Sequence, residues 1–562
     1  MSQSMIFLIA ALIVTAIYVS VSESRRRRQK MIQKIRDSWG RASERNITDE
    51  ELDIISHYYQ DCVNGDIPCD ESDYIDDITW NDLSMNTVYK RMNTCFSSVG
   101  QEYLYKMLRL PFNDRDKLDE ADRLAAHFDS NKKDRENIQQ IFYKLGFAKK
   151  ISVSDYVGLL MDLKPQSNII HYLSMLFIIV SFVIAFGYNA TLGIILVVAS
   201  VAFAIISYYS YKAKAEPFFI CIINIVKMTQ AVKDIDKLNI SALDSYNESI
   251  KNITQKMSKA TSGAGMLASS NENGSIAEML LDYLRMITHI DLIKFNTMLH
   301  SINEHTDDIY EMIRLLGFIE STIAIASYRA GLNYWSRPEF ISGRNSIALE
   351  DAYHPCIDNP VANSITLSRN VLLTGSNASG KSTFLKTVAI NAILSQSICT
   401  SLARSYRAPV FRIYSSMALK DNLEGHDSYY IVEIKSLKRI LDSIDDKKKP
   451  VLCFVDEVLR GTNTVERIAA SSQILKSMNG KNVICFAATH DIELTKILKD
   501  CYDNYHFQED FCEDVVFNYK LMDGPATSRN AIKLLKGIGY DDSITKAADD
   551  MANRFLQTGD WC

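Results

Sequence analysis

A chain of 562 residues is long enough for more than one domain with its own core. Its 62 basic and 68 acidic side chains leave a formal charge of −6, which excludes a globally basic nucleic-acid binder; any DNA contact has to come from a local patch. The 11 cysteines are scattered singly, without C-x-x-C pairs, which excludes a disulfide scaffold and fits a reducing compartment.

Met5–Val21 is uncharged and about long enough to span a bilayer. A cleaved signal peptide is the alternative, but the segment lacks a basic leader, and its positive charge (Arg25–Arg28, Lys30) lies on the far side. Residues 22–74 are polar, first basic and then acidic through Asp66, Asp70, Glu71 and Asp73. The basic part reads as a topology signal, with contact to anionic lipid as the alternative. Residues 75–168 read as amphipathic helices. Ile169–Tyr188 and Ala190–Tyr209 are two more apolar stretches with almost no loop between them, a helical hairpin. A buried pair of core helices is the competing reading, and apolar character on every face argues against it. Lys149, Lys150, Lys164, Lys212 and Lys214 flank the hairpin. The positive-inside rule then predicts three transmembrane helices, with the N-terminus outside and the large remainder in the cytoplasm.

Residues 210–334 are expected to be helical, with a small, polar loop at TSGAGMLASSNENGS from Thr261. Lys227, Lys233, Lys237, Lys251, Lys256 and Lys259 can meet phosphates or simply solvate an exposed face. The decisive signals come later. VLLTGSNASGKST (371–383) is an apolar run entering a G-x-x-x-x-G-K-S loop, followed by a helix-like stretch from Thr383 to Leu394. Successive amides of Gly375, Ser376, Asn377, Ala378, Ser379 and Gly380 can cradle phosphates, with Thr383 closing the motif. Lys381 is placed for the β/γ-phosphates and the Ser382 hydroxyl for Mg²⁺. VLCFVDEVLRGTNT (451–464) is an apolar run ending in Asp456, a metal ligand by this reading, and Glu457, a base able to orient water. Together they predict a nucleoside triphosphatase, with ATP and Mg²⁺ as cofactors.

The stretch TGSNASGKSTFLKTVAINAILSQ from Thr374 resembles the P-loop of the MutS family of mismatch-repair ATPases. DEVLRGTNT at 456–464, GHDSYYIVEIKSLKRIL from Gly425, FAATHDIELT at 486–495 and the stretch from Tyr519 to Tyr540 are similar to further segments of that family, in its order and spacing. Around Leu83–Phe112, Asn93, Thr94, Gly100 and Pro111 stand at places that match the start of the family's core, and Asn333–Phe340 resembles the turn ending its returning lever. Leu459 stands where the family has glycine, Ser376 where it has proline, and Val361 near its aromatic that stacks on adenine.

The resemblance implies an α/β P-loop, ABC-type ATPase domain (335–562, with C-terminal dimerisation helices) after an all-α core and lever domain. That helical domain would occupy 75–168 and 210–334, with a transmembrane hairpin inserted at 169–209. A transmembrane helix (1–22) and a juxtamembrane segment (23–74) come first. It implies a homodimer with two shared sites, in which Ser428 of one chain reaches the partner's nucleotide, although Ser428 also reads as a plain helix cap. Arg460, Gly461, Thr462 and Thr464 would line the same interface. His490 is implied as the switch histidine near the γ-phosphate. Residues 22–74 leave no room for the family's mismatch-reading and connector domains. Duplex or branched DNA is therefore the expected lever partner, and an ATP-driven switch on an unknown membrane or protein partner is the alternative.

Overall fold

The computed structural model describes residues 3–69, 73–112, 114–148, 150–163, 166–262, 283–342, 345–376, 379–417, 429–445, 448–511, 515–526, 532, 535 and 538–561. It divides into two compact units. The first comprises residues 1–69, 93–106 and 123–330, and the second residues 70–92, 107–122 and 331–562.

The first unit is helical. Its core is organised by Thr306–Ala330, a helix apolar on nearly every face, with Ile309, Met312, Ile313, Leu316, Ile319 and Ile323 all buried. The polar stretch 22–74 is also mostly helical. Gln3–Ser38 runs through the arginine cluster, and Asp49–Asn64 buries Leu52, Ile55, Tyr58 and Tyr59 along one face. That face follows the i, i+3, i+7 spacing of an amphipathic helix, masked in the sequence by the acids between.

Inside this unit Glu320 is 2% exposed, and its carboxylate faces the N-terminus of the helix Ser98–Arg109. It accepts from the amides of Phe96 (2.6 Å) and Ser97 (3.2 Å) and from the Ser97 hydroxyl. Gly100 leaves the space, since a Cβ there would overlap the carboxylate. A helix N-terminus favours an anion, but burial acts first and pushes the Glu320 carboxyl up to about 7 despite these bonds. A raised folded pKa means stability that is complete below the ordinary value of 4.5 and lost as the pH rises through about 7. We expect Glu320→Gln to gain on the wild type across that window, by on the order of 3 kcal/mol, in denaturant unfolding at a series of pH values. A pH-independent difference would contradict it.

The hairpin consists of helices Ile169–Gly187 and Ala190–Asp236, joined at Tyr188–Asn189, where the Asn189 side chain caps the second helix by accepting from the amide of Leu192 at 3.0 Å. The second helix does not stop near Tyr209 as the hydropathy suggests; it continues unbroken, through Pro217, to Asp236. Small residues face inward. Ser174, Ser181, Ser200 and Ala204 are buried, and a Cβ on Gly193 would overlap Ala185. Large apolar residues face outward, including Phe186 (89% exposed), Ile206 (71%) and Val198 (65%). Both helices are long and apolar enough to cross a membrane, and only 22% of the most apolar window of each is buried. Most of the hairpin surface is thus exposed within this chain, with small residues packed between the two helices. The candidate span Met5–Val21 lies on the helix Gln3–Ser38, with most of its side chains outside the described residues.

The second unit holds two sheets. Its strands are β1 (Glu339–Phe340), β2 (Ile347–Ala352), β3 (Asn363–Leu367), β4 (Asn370–Thr374), β5 (Ser405–Ala408), β6 (Arg412–Ser416), β7 (Val451–Asp456), β8 (Val483–Thr489), β9 (Tyr502–Phe511) and β10 (Val515–Asp523). Four form the sheet β1-β5-β2-β3 and six the sheet β10-β9-β4-β8-β7-β6. In the larger sheet β9, β4, β8, β7 and β6 run parallel and only β10 is antiparallel. The continuous apolar runs of β4, β7 and β8 are what a parallel strand covered on both faces requires. The helix Lys381–Ile398 is likewise buried almost all round. Residues 70–92 join this unit because they cover its open edge. The amide of Ser415 on β6 donates to the Thr79 hydroxyl (3.1 Å), and Asp82 accepts from the Ser415 hydroxyl (2.7 Å) and the Met417 amide (2.9 Å).

Candidate nucleotide site

In a parallel sheet the strands present their carboxyl ends together, and ligands collect there. β4 pairs with β8, and β8 with β7, so the residues after Thr374, Asp456 and Thr489 come to one edge. After β4 the chain turns through Gly375 (φ 143°) and Gly380 (φ 108°) into the helix beginning at Lys381. Both glycines are required. A Cβ on Gly375 would press on Ser379 and Phe507, and one on Gly380 on Tyr519, besides the backbone strain. Lys381 is 5% exposed, and its ammonium group donates to the carbonyls of Gly375 and Ser376 at 2.7 Å each. The Ser382 hydroxyl donates to the Asp456 carboxylate across the two strand ends. Thr383 is exposed one residue further on, and Ser379 is buried with its hydroxyl unpartnered. Asn377, Ala378 and Ser428 lie outside the described residues, as does most of the loop expected from Thr261.

Glu457 follows directly on β7. Its amide is tied to the Ala488 carbonyl of β8 at 2.9 Å, and its carboxylate meets His490 Nε2 at 2.6 Å and the Arg460 guanidinium. Burial pushes the Glu457 carboxyl up, but the His490 bond and the charges of His490, Arg460 and Lys381 outweigh it and hold it below its ordinary value. The group is therefore ionised at neutral pH. Arg467 grips Asp491 through two bonds (2.9 and 2.6 Å) beside His490, fixing the turn after β8. Asn463 caps the helix Thr464–Lys476 by accepting from the Glu466 amide, and Thr462 bonds to Glu466.

Ser379–Thr383, Glu457, Arg460 and Val361 line a cavity of about 580 Å³, while His490, Asp491 and Arg467 line a second one that shares Glu457 and Arg460 with it. Among the first cavity's lining residues that sequence reasoning did not place at the site are His354, Phe507 and Tyr519. Phe507 packs edge-on against Phe384 at 5.8 Å, and Tyr519 is 43% exposed, so aromatic surface is available to a base despite Val361. His354 is neutral, because burial and the charges of Lys386 and Arg91 push its pKa down to about 4. The family-like stretch from Tyr519 was a hint in the sequence for that residue.

The cavity suits a magnesium nucleotide. Its loop has room only for glycine at two turns, and Ser382 and Asp456 bring two hard oxygen donors together, which Mg²⁺ prefers. A phosphate-cradling turn between a parallel strand and a helix N-terminus, with acids on the adjoining strand end, defines a P-loop nucleoside-triphosphate-binding domain. Residues 371–556 match the family model of MutS domain V. The chain is 28% identical over 300 residues to mouse MutS protein homolog 4, covering 50% of this chain and 30% of that protein. It is 26% identical over 295 residues to the DNA mismatch repair protein MutS of Lactobacillus delbrueckii subsp. bulgaricus, covering 50% and 34%. It is 27% identical over 271 residues to that of Thermotoga petrophila, covering 46% and 33%. The chain spans about a third of the length of the curated relatives it matches. Residues 371–556 thus carry a MutS domain V, and about half of the chain is similar to MutS proteins.

Proposed function

We propose that this protein is a membrane-anchored MutS-like ATPase, working as a homodimer that couples ATP hydrolysis to movement of its lever helices. The observation carrying the chemistry is the convergence of Lys381, Ser382, Asp456, Glu457 and His490 at one sheet edge. Loop amides of Gly375–Gly380 would hold the phosphates, Lys381 would neutralise charge on the β- and γ-phosphates, and Ser382 and Asp456 would hold Mg²⁺. The bound ion neutralises charge on the triphosphate. Glu457 takes up and orients the attacking water, and His490 steadies Glu457. Ser428 completes the partner's site, with Arg460 to Thr464 beside it.

The membrane reading rests on the lipid-like packing of the hairpin and on the unbroken helix Ala190–Asp236, about 70 Å long, which carries a candidate span directly into the lever. The flanking basic residues support a cytoplasmic ATPase domain.

Two relatives are named as DNA mismatch repair proteins, which supports DNA as the lever partner. A second reading, a switch on a membrane or protein partner without DNA, is favoured by the lever lysines. Lys237 is paired with Asp234 and Lys256 with Asp308, each at 2.8 Å, so these two charges are already partly neutralised. The test is reconstitution of the full chain into vesicles. It should resist alkaline extraction, show ATPase activity that rises with dimer formation, and bind duplex or forked DNA with strong salt dependence. Extraction as a peripheral protein would overturn the anchoring, and no DNA binding at low salt would leave the second reading.

A further inference from the structure

Glu433 lies on the helix Tyr429–Ser443, is 4% exposed, and takes no direct part in the chemistry above. Its Oε1 accepts from the backbone amide of Leu459 and, at 3.4 Å, from that of Arg460. Its Oε2 is buried without a hydrogen-bond partner. The hold is thus made by one oxygen on two successive amides just beyond Glu457.

Those amides belong to a strained turn. Glu457 (φ 57°) and Leu459 (φ 60°) both occupy the left-handed region, which non-glycine residues adopt only when their surroundings enforce it. Leu459, where the family resemblance has glycine, cannot relax outward, because its side chain is buried in the cluster containing Leu437 and Ile440 of the Glu433 helix. A third grip comes from Tyr430, whose ring sits where a Cβ on Gly461 would come within 3.1 Å. One helix therefore clamps residues 459–461 through a carboxylate, an apolar contact and a ring.

We propose that Glu433 is a positioning residue for hydrolysis: by holding the amides of Leu459 and Arg460 it keeps the turn in the conformation that aims Glu457 at the nucleotide and His490. Glu433 touches neither nucleotide nor water. The inference rests on the reading of Glu457 as the group that orients water. It also gives a route by which the helix following Ser428 reports on the partner's site, since tilting that helix pulls directly on the turn behind Glu457.

The test compares Glu433→Gln, which keeps the reach of Oε1 and loses the charge, with Glu433→Asp, which keeps the charge and withdraws the oxygen by one methylene. On the detergent-solubilised full chain, the Gln variant is expected to hold kcat within about threefold and the Asp variant to lose about tenfold or more, as loss of a charge-assisted hydrogen bond predicts. ADP affinity should stay at the wild-type value in both, with a cooperative melting curve showing that both variants are folded. The proposal is overturned if the Asp variant turns over normally, if the Gln variant falls as far as the Asp variant, or if ADP affinity falls in parallel with kcat. Glu457→Gln is run beside them. Normal turnover there removes the reading of Glu457 itself, whereas a stalled Glu457→Gln with a normal Glu433→Asp removes only the positioning role.

Discussion

Lys381→Ala is expected to abolish nucleotide binding, weakening the affinity for both ATP and ADP by about a hundredfold or more. Lys381 is the first residue of the helix Lys381–Ile398 and is 5% exposed as a whole, so a phosphate reaching it meets a partly desolvated cation. Two charge-assisted bonds at about 1.5 kcal/mol each amount to roughly 3 kcal/mol, which is the hundredfold. At present those bonds go to the carbonyls of Gly375 and Ser376 at 2.7 Å. Phosphate oxygens are better acceptors for a cation than neutral carbonyls, so the nucleotide competes well for the same protons. The variant should still fold, since the loop's shape is set by the two glycines and by β4. Titration calorimetry with ADP checks the affinity, and a melting curve checks the fold. Wild-type affinity in a folded variant would mean that the loop amides alone hold the phosphates.

Glu457→Gln is expected to separate binding from turnover. The change is isosteric and keeps one oxygen for His490, now at 2.6 Å from the carboxylate. It removes the negative charge that Arg460 and His490 surround and the capacity to accept a proton from water. Loss of a general base of this kind costs about 10² to 10⁴ in rate, whereas nucleotide affinity, set by the loop and Lys381, should change little. The low position of the Glu457 carboxyl has a further consequence with a definite sign. A carboxylate held below its ordinary value is ionised throughout the neutral range, so kcat should be flat there and fall only in acid as Glu457 takes up a proton. Single-turnover hydrolysis and an ATP-trapped dimer are the readouts. A normal single-turnover rate in the Gln variant would move the water-orienting role to another group.

Much of this site was legible before any coordinates. A phosphate loop is a local object: its glycines, lysine and serine are contiguous, and the strand before it and helix after it follow from apolar periodicity. Asp456 and Glu457 are legible for the same reason, ending an apolar run of the length a buried strand needs. The apolar hairpin is equally local, as membrane-length stretches declare themselves by composition. Less legible were features that depend on distant partners. Nothing in the segment around Thr79 and Asp82 says that it covers the edge strand β6, more than 330 positions later. Nothing in hydropathy says that the helix entering at Ala190 continues to Asp236, because the hydropathy signal ends where the lipid-like composition ends and the helix does not.

What the amino-acid order by itself determined, then, was what short-range geometry can carry: a glycine-rich turn before a helix, a pair of strand-end acids and an apolar helical hairpin. What only tertiary structure decided was which side chains from remote segments meet that chemistry. Phe507 and Tyr519 reach the nucleotide cavity, and Glu433 reaches the turn behind Glu457, through the order β10-β9-β4-β8-β7-β6 and the packing of helices on it. The physical reason is that a parallel sheet brings strands together by crossover connections, so neighbours at its active edge are distant in sequence, and no local pattern records the pairing.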